Sequence, residues 1–142
     1  MRIVLDSNIL VRAFTSSHGL AHELLLAILA GDNTLILSNE MLFEVARVLR
    51  YPRLMAVHGQ TEEAIYDFTC WLRNAADIVA LNRLESTPIR DRNDIFVLQT
   101  ALSGEADVIC TSDRDFFEPP ASIFLASVGI AVFKDEQLIR IL

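Results

Sequence analysis

Five short apolar runs, separated by segments of helical periodicity, leave this chain few folds to choose from. Arg2-Ile3-Val4-Leu5, Thr34-Leu35-Ile36-Leu37, Ile78-Val79-Ala80-Leu81, Asp107-Val108-Ile109-Cys110 and the run from Ile130 to Phe133 read as buried strands. Between them, helices are expected over residues 9–14, 20–30, 39–50, 61–74, 93–103 and 119–129, with a last one over 135–142. Ser38 and Thr61 are the expected N-caps, Gly31 and Gly104 the stops, and Tyr51-Pro52 the end of the third helix. Strands joined by helical crossovers run parallel, and a parallel sheet is covered on both faces. The expected class is therefore α/β: a three-layer sandwich, with a parallel sheet of about five strands between helices.

With 142 residues, no repeat and no linker-like stretch, the chain reads as one domain over residues 1–142. Its 22% charged residues, 5 glycines and 4 prolines exclude a disordered or collagen-like chain. The formal net charge of −7 gives no overall attraction for nucleic acid or anionic membrane. Any work on phosphates needs a local basic patch or bound cations. Cys70 and Cys110 sit among apolar neighbours without a CxxC or zinc pattern, so both are expected as reduced, buried thiols of a cytoplasmic protein. No signal peptide and no transmembrane span is recognisable.

Four acids are distinguished by position. Asp6 ends the first strand and Asp113 lies just past the fourth, where open α/β sheets bind ligands. An ordinary Asx turn would explain either alone. At ~100° per residue, Asp94 shares a helix face with Leu98, Ala101 and Leu102, the face that should meet the sheet. The helix dipole favours a first-turn acid but does not explain its inward direction; Asp91 is the neighbouring alternative. Glu44 stands on the shoulder of the stripe made by Met41, Leu42, Val45, Val48 and Leu49, where a surface pair with Arg47 is the plainer explanation. Meeting at one sheet edge, these four carboxylates would need a cation to stay ionised. Oxygen-only donors suit Mg²⁺ or Mn²⁺, which activate water and neutralise a phosphodiester.

The sequence resembles the PIN-domain ribonucleases, close to the VapC-like toxins of bacterial toxin–antitoxin pairs. The resemblance rests on Ile3-Val4-Leu5-Asp6-Ser7-Asn8-Ile9-Leu10, on Leu37-Ser38 and Glu44-Val45-Ala46-Arg47-Val48-Leu49, and on Arg90-Asp91-Arg92-Asn93-Asp94. It continues through Ala106-Asp107-Val108-Ile109-Cys110-Thr111-Ser112-Asp113-Arg114-Asp115-Phe116 and spans essentially the whole chain in order. It implies a sheet ordered 3-2-1-4-5, which sets Asp6 beside Asp113. It also implies a catalytic quartet of Asp6, Glu44, Asp94 and Asp113, the three aspartates holding the metal. Ser7 and Thr111 would support the site by hydrogen bonds, and Asn8 would brace the loop after the first strand. Of Asp113 and Asp115, the former is favoured as nearer the strand end. The activity implied is endoribonucleolytic hydrolysis leaving a 5′-phosphate and a 3′-hydroxyl, and the partner implied is a small antitoxin protein.

Arg12, Arg90, Arg92 and Arg114 flank the acidic motifs; Arg12 and Arg114 are the candidates to grip substrate. Leu20, Leu24, Leu25, Leu26, Ile28 and Leu29 exceed one core stripe, and with Met41, Phe43 and Phe68 they suggest a homodimer. His18 and His22 lack further metal ligands. No Gly-x-Gly-x-x-Gly, P-loop or Gly-x-Ser-x-Gly occurs. The competing functions are a phosphoryl-transfer or phosphatase-like domain and a catalytically inactive metal- or nucleic-acid-binding module. The first usually wants a second Asp at position 8, which is Asn, and the second leaves four placed acids unexplained.

Overall fold

A computed structural model describes residues 1–82 and 87–142. Five strands, β1 (Arg2–Leu5), β2 (Thr34–Leu37), β3 (Asp77–Ile78), β4 (Val108–Cys110) and β5 (Ala131–Phe133), form one sheet in the order β3-β2-β1-β4-β5. Every pairing is parallel. The α/β class and the strand order are thus as expected. Ile3, Val4 and Leu5 of the central strand are all fully buried. Since successive side chains point to opposite faces, both faces of the sheet are covered.

The connections are α1 (Ser7–Thr15), α2 (Leu20–Ala30), α3 (Asn39–Leu49), α4 (Pro52–His58), α5 (Glu62–Ala75), α6 (Arg92–Ser103), α7 (Ala121–Ser127) and α8 (Asp135–Ile141). The Ser38 and Thr61 side chains cap α3 and α5, accepting from Met41 N and Ala64 N. Gly104 follows α6 and lies against Ile36 of β2. A Cβ there would stand 2.4 Å from Ile36 Cγ2, so glycine is required by contact.

Several local expectations need correction. The third strand was expected over residues 78–81 but is Asp77–Ile78. As an edge strand paired only with β2, it ends once Val79 N has donated to Leu37 O. Pro52 does end α3, but its fixed φ also opens α4, which Gly59 closes at a φ of 62°. A short 3-10 turn, Arg114–Phe116, follows β4. Cys70 is only half-buried. Cys110 is fully buried, and burial pushes its thiol up to about 12. Part of the loop expected over residues 82–92 lies outside the described residues. No helix among the described residues is long and apolar enough to cross a membrane.

Candidate active site

The pairing of β1 with β4 builds the centre of the site. Leu5 is in register with Cys110, so both strands end at the same level. Asp6 N donates to Cys110 O at 2.9 Å, and Thr111 Oγ1 donates to Asp6 Oδ2 at 2.7 Å. The same hydroxyl oxygen accepts from Asp113 N at 3.0 Å. Thr111, fully buried, therefore fixes Asp6 and the backbone that carries Asp113 together. Burial raises the Asp6 carboxyl above its usual range, the Thr111 hydrogen bond works against that, and the Asp113 charge adds to it.

The first turn of α6 brings Asp94 in from the side. Asp91, the N-cap, accepts from Asn93 N at 2.9 Å and Asp94 N at 3.4 Å. Capping thus occupies Asp91 and leaves Asp94 facing inward, as its helical position predicts. Asp94 is 8% exposed. Burial, then the hydrogen bond and charge of Asp113, then the charges of Asp6 and Asp91, push its carboxyl up to about 8. Oxygens of Asp94, Asp113 and Asp115 all lie within 4.8 Å of one another. Both Asp113 and Asp115 thus come within reach of Asp94. The 3-10 turn after Asp113 returns Asp115 to the cluster, its N donating to Asp113 Oδ1 at 2.9 Å. Asp6 is not in this set of three; it adjoins it through Thr111 and through its charge on Asp94.

Glu44 has two partners. Arg47, one turn along α3, donates to Oε2, which is the surface pair expected from spacing. Asn93 Nδ2 donates to Oε1 at 3.2 Å, tying α3 to the first turn of α6 beside Asp94. The Glu44 side chain is only 13% exposed. Asn93 was not singled out from sequence; its only signal was its place next to Asp94.

The supporting residues divide. Thr111 makes the bonds just described. Ser7 is buried at the start of α1 with no side-chain hydrogen bond among the described residues, and Asn8 is exposed and likewise has none. The Asn8 side chain thus has no partner among the described residues, whereas its backbone N–H serves the Asp6 carboxylate and works against the rise caused by burial. Arg12 is engaged: it donates to Asp135 Oδ2 at 2.9 Å and Ser112 Oγ at 3.2 Å, tying α1 and α8 to the loop before Asp113. It can reach a substrate phosphate only by giving up those bonds. Arg114 is exposed in the 3-10 turn.

Three carboxylates this close, one of them protonated up to about pH 8 without a counter-charge, are an arrangement that a divalent cation relieves. The donors are all oxygens, as Mg²⁺ and Mn²⁺ prefer. The model of the PIN domain family matches residues 2–115. The chain belongs to the PIN domain family. That match takes in every acid of the site, Asp6 through Asp115. Among solved structures, this PIN domain is similar to VapBC2 from Rickettsia felis, bound to a DNA fragment from their promoter. The TM-score is 0.64 and the identity 15%, over 94% of this chain and 98% of that one. It is also similar to VapBC-1 from nontypeable Haemophilus influenzae, with a TM-score of 0.58 and 17% identity over 96% and 99% of the two chains. At such identities the likeness is one of fold. No curated protein matches this PIN domain in sequence.

Proposed function

We propose that this PIN domain is a metal-dependent endoribonuclease, a single nuclease domain over residues 1–142, and the toxin of a toxin–antitoxin pair. The observation that carries the nuclease reading is the convergence of Asp94, Asp113 and Asp115 within 4.8 Å beside buried Asp6. PIN domains are nucleases, which supports hydrolysis of a phosphodiester. Asp94, Asp113 and Asp115 would hold Mg²⁺ or Mn²⁺, with Asp6 completing the negative field from the strand end. The ion supplies charge neutralisation at the phosphate and a more acidic water. The chain's own residues position: Thr111 fixes Asp6, Asp91 fixes the first turn of α6, and Glu44 anchors that turn through Asn93. In the reaction a water oxygen bonds to phosphorus, the P–O3′ bond breaks, and the leaving oxygen takes up a proton. The products are a 5′-phosphate and a 3′-hydroxyl. The direct test is cleavage of RNA with Mg²⁺ or Mn²⁺; full activity in excess chelator overturns the metal dependence.

Glu44→Gln keeps the shape but weakens the anchor of Asn93. Loss of such a supporting carboxylate typically costs 10–100-fold, so kcat should fall by about tenfold while the melting temperature holds. An unchanged kcat would leave Glu44 only as the surface partner of Arg47, worth about 0.2–0.5 kcal/mol.

Likeness to VapBC structures supports an antitoxin partner. Such an inhibitor should be a short, partly disordered chain that folds on binding and inserts an Arg or Lys among the acids, competing with the metal. A homodimer in the cytoplasm is the expected state of the chain alone. Leu20, Leu26 and Trp71 are 37%, 46% and 41% exposed, and Leu26 and Trp71 line a cleft of about 260 Å³ together with Phe14, Leu25 and Phe68. Met41, expected to add to that surface, is instead buried in the core, and Phe68 is half-buried against Phe14. Light scattering at tens of micromolar, on the chain alone and co-expressed with its neighbouring gene, tests both: a monomer alone removes the dimer, and no complex removes the toxin reading.

A further inference from the structure

Beside the acids, between α3 and α6, lies a groove of about 430 Å³ lined by Glu40, Phe43, Glu44, Arg47, Arg92, Asn93 and Phe96, in which Arg47 is paired with Glu44. That volume is within the range of small-ligand sites. Phe43 is 72% exposed, the largest exposure of any bulky apolar side chain among the described residues. Nothing in the packing of α3 accounts for it, because the core stripe of that helix is Met41, Leu42, Val45 and Leu49. Across the groove, the Arg92 guanidinium lies 5.9 Å from the centre of the Phe96 ring and is in no ion pair among the described residues. Asn93, which lines the groove, directly precedes Asp94.

Aromatic rings beside a guanidinium suit an unpaired nucleobase with its phosphate. Bases stack on aromatic faces and on guanidinium planes, while an arginine takes the phosphate. A chain of net charge −7 cannot rely on its overall charge to hold a strand, so base stacking adds to what a bound cation and a local arginine supply near the acids. We propose that this groove binds one unpaired nucleotide of the RNA strand next to the scissile bond, its base against Phe43 and Phe96 and its phosphate on Arg92. The inference rests on the nuclease reading, and it commits that nuclease to single-stranded substrate, because a paired base is not free to enter.

The test uses a single-stranded RNA carrying 2-aminopurine, whose emission is quenched on stacking. It is titrated with the full chain in Ca²⁺ in place of Mg²⁺, and the strand's integrity is checked on a gel. The expected result is quenching by the wild type, with Phe43→Ala raising Kd at least about fivefold and removing the quench. Arg92→Gln should flatten the salt dependence of log K by ~0.7, one single-strand phosphate. Phe43 is exposed, so its truncation should leave melting unchanged. Wild-type chain that fails to bind or quench, equal binding to duplex RNA, or unchanged Kd in Phe43→Ala each overturns the proposal. Loss of a dimer in Phe43→Ala with RNA binding intact would also overturn it, assigning the face to a second copy. Binding and quenching without cleavage in Mg²⁺ would retain the groove and remove the nuclease reading; cleavage by variants that bind like the wild type would do the reverse.

Discussion

Asp6→Asn should lower metal-dependent RNA cleavage by at least ~10², the scale for removing one placed electrostatic group from a water-poor site. The substitution is nearly isosteric, and Asn Oδ1 can still accept from Thr111 Oγ1, which lies 2.7 Å from the native carboxylate. The geometry of the strand end is therefore kept while one negative charge is lost. That charge sits at a residue 4% exposed, where water screens it little; it acts on Asp94, though less than burial and Asp113 do, and it would act on a bound cation. Cleavage is measured as initial rate on a single-stranded RNA at saturating Mg²⁺ or Mn²⁺, with circular dichroism to confirm folding. An undiminished rate in folded Asp6→Asn would remove Asp6 from the active site.

The second large effect is on stability without metal. The Asp94 carboxyl is held at about 8 in the fold against 3.8 for the ordinary group, with burial the main cause. The folded state thus holds this proton more tightly than the unfolded one. Above pH ~4 the unfolded side chain ionises freely while the folded one stays protonated, so metal-free stability falls as pH rises, until it levels above pH ~8. The full effect is on the order of a few kcal/mol. Asp94→Asn carries no such cost. At pH 8 the metal-free variant should melt several degrees above the wild type, and near pH 4 the two should coincide. Adding Mg²⁺ or Mn²⁺ at pH 8 should raise the wild-type melting temperature and close much of the gap, since a cation bound only by the fold stabilises it. A wild-type-to-variant difference that does not change between pH 4 and pH 8 would show that Asp94 is not held protonated by its surroundings.

Much of this was legible in the chain because the signals are local. The run Ile3-Val4-Leu5 followed by Asp6, and Val108-Ile109-Cys110 followed by Thr111-Ser112-Asp113, name two strand ends and their acids by composition alone. The inward direction of Asp94 follows from helical spacing, but spacing left Asp91 as an alternative to it, and only the structure shows Asp91 capping the helix. The competition between Asp113 and Asp115 could not be resolved this way, because it depends on a 3-10 turn that returns both carboxylates to Asp94. Nor could Arg12 be assigned: its partner Asp135 is 123 residues away, and no local pattern reports such a pair. Asn93 and Glu44, 49 residues apart, meet only because α3 and α6 pack together.

By itself, then, the sequence determined the alternation of strands and helices, the parallel sheet, and the places of Asp6, Asp94 and Asp113 at or near strand and helix ends, with Glu44 on the shoulder of a helix stripe, because periodicity and end signals act over a few residues. Tertiary structure decided which carboxylates meet, that Asp115 joins Asp94 and Asp113 while Asp91 is spent on a cap, that Arg12 is a brace, and that Phe43 is left uncovered beside the site. Those outcomes turn on distances of a few ångströms between elements remote in the chain, and only the register of β1 on β4 and the packing of α3 on α6 set them.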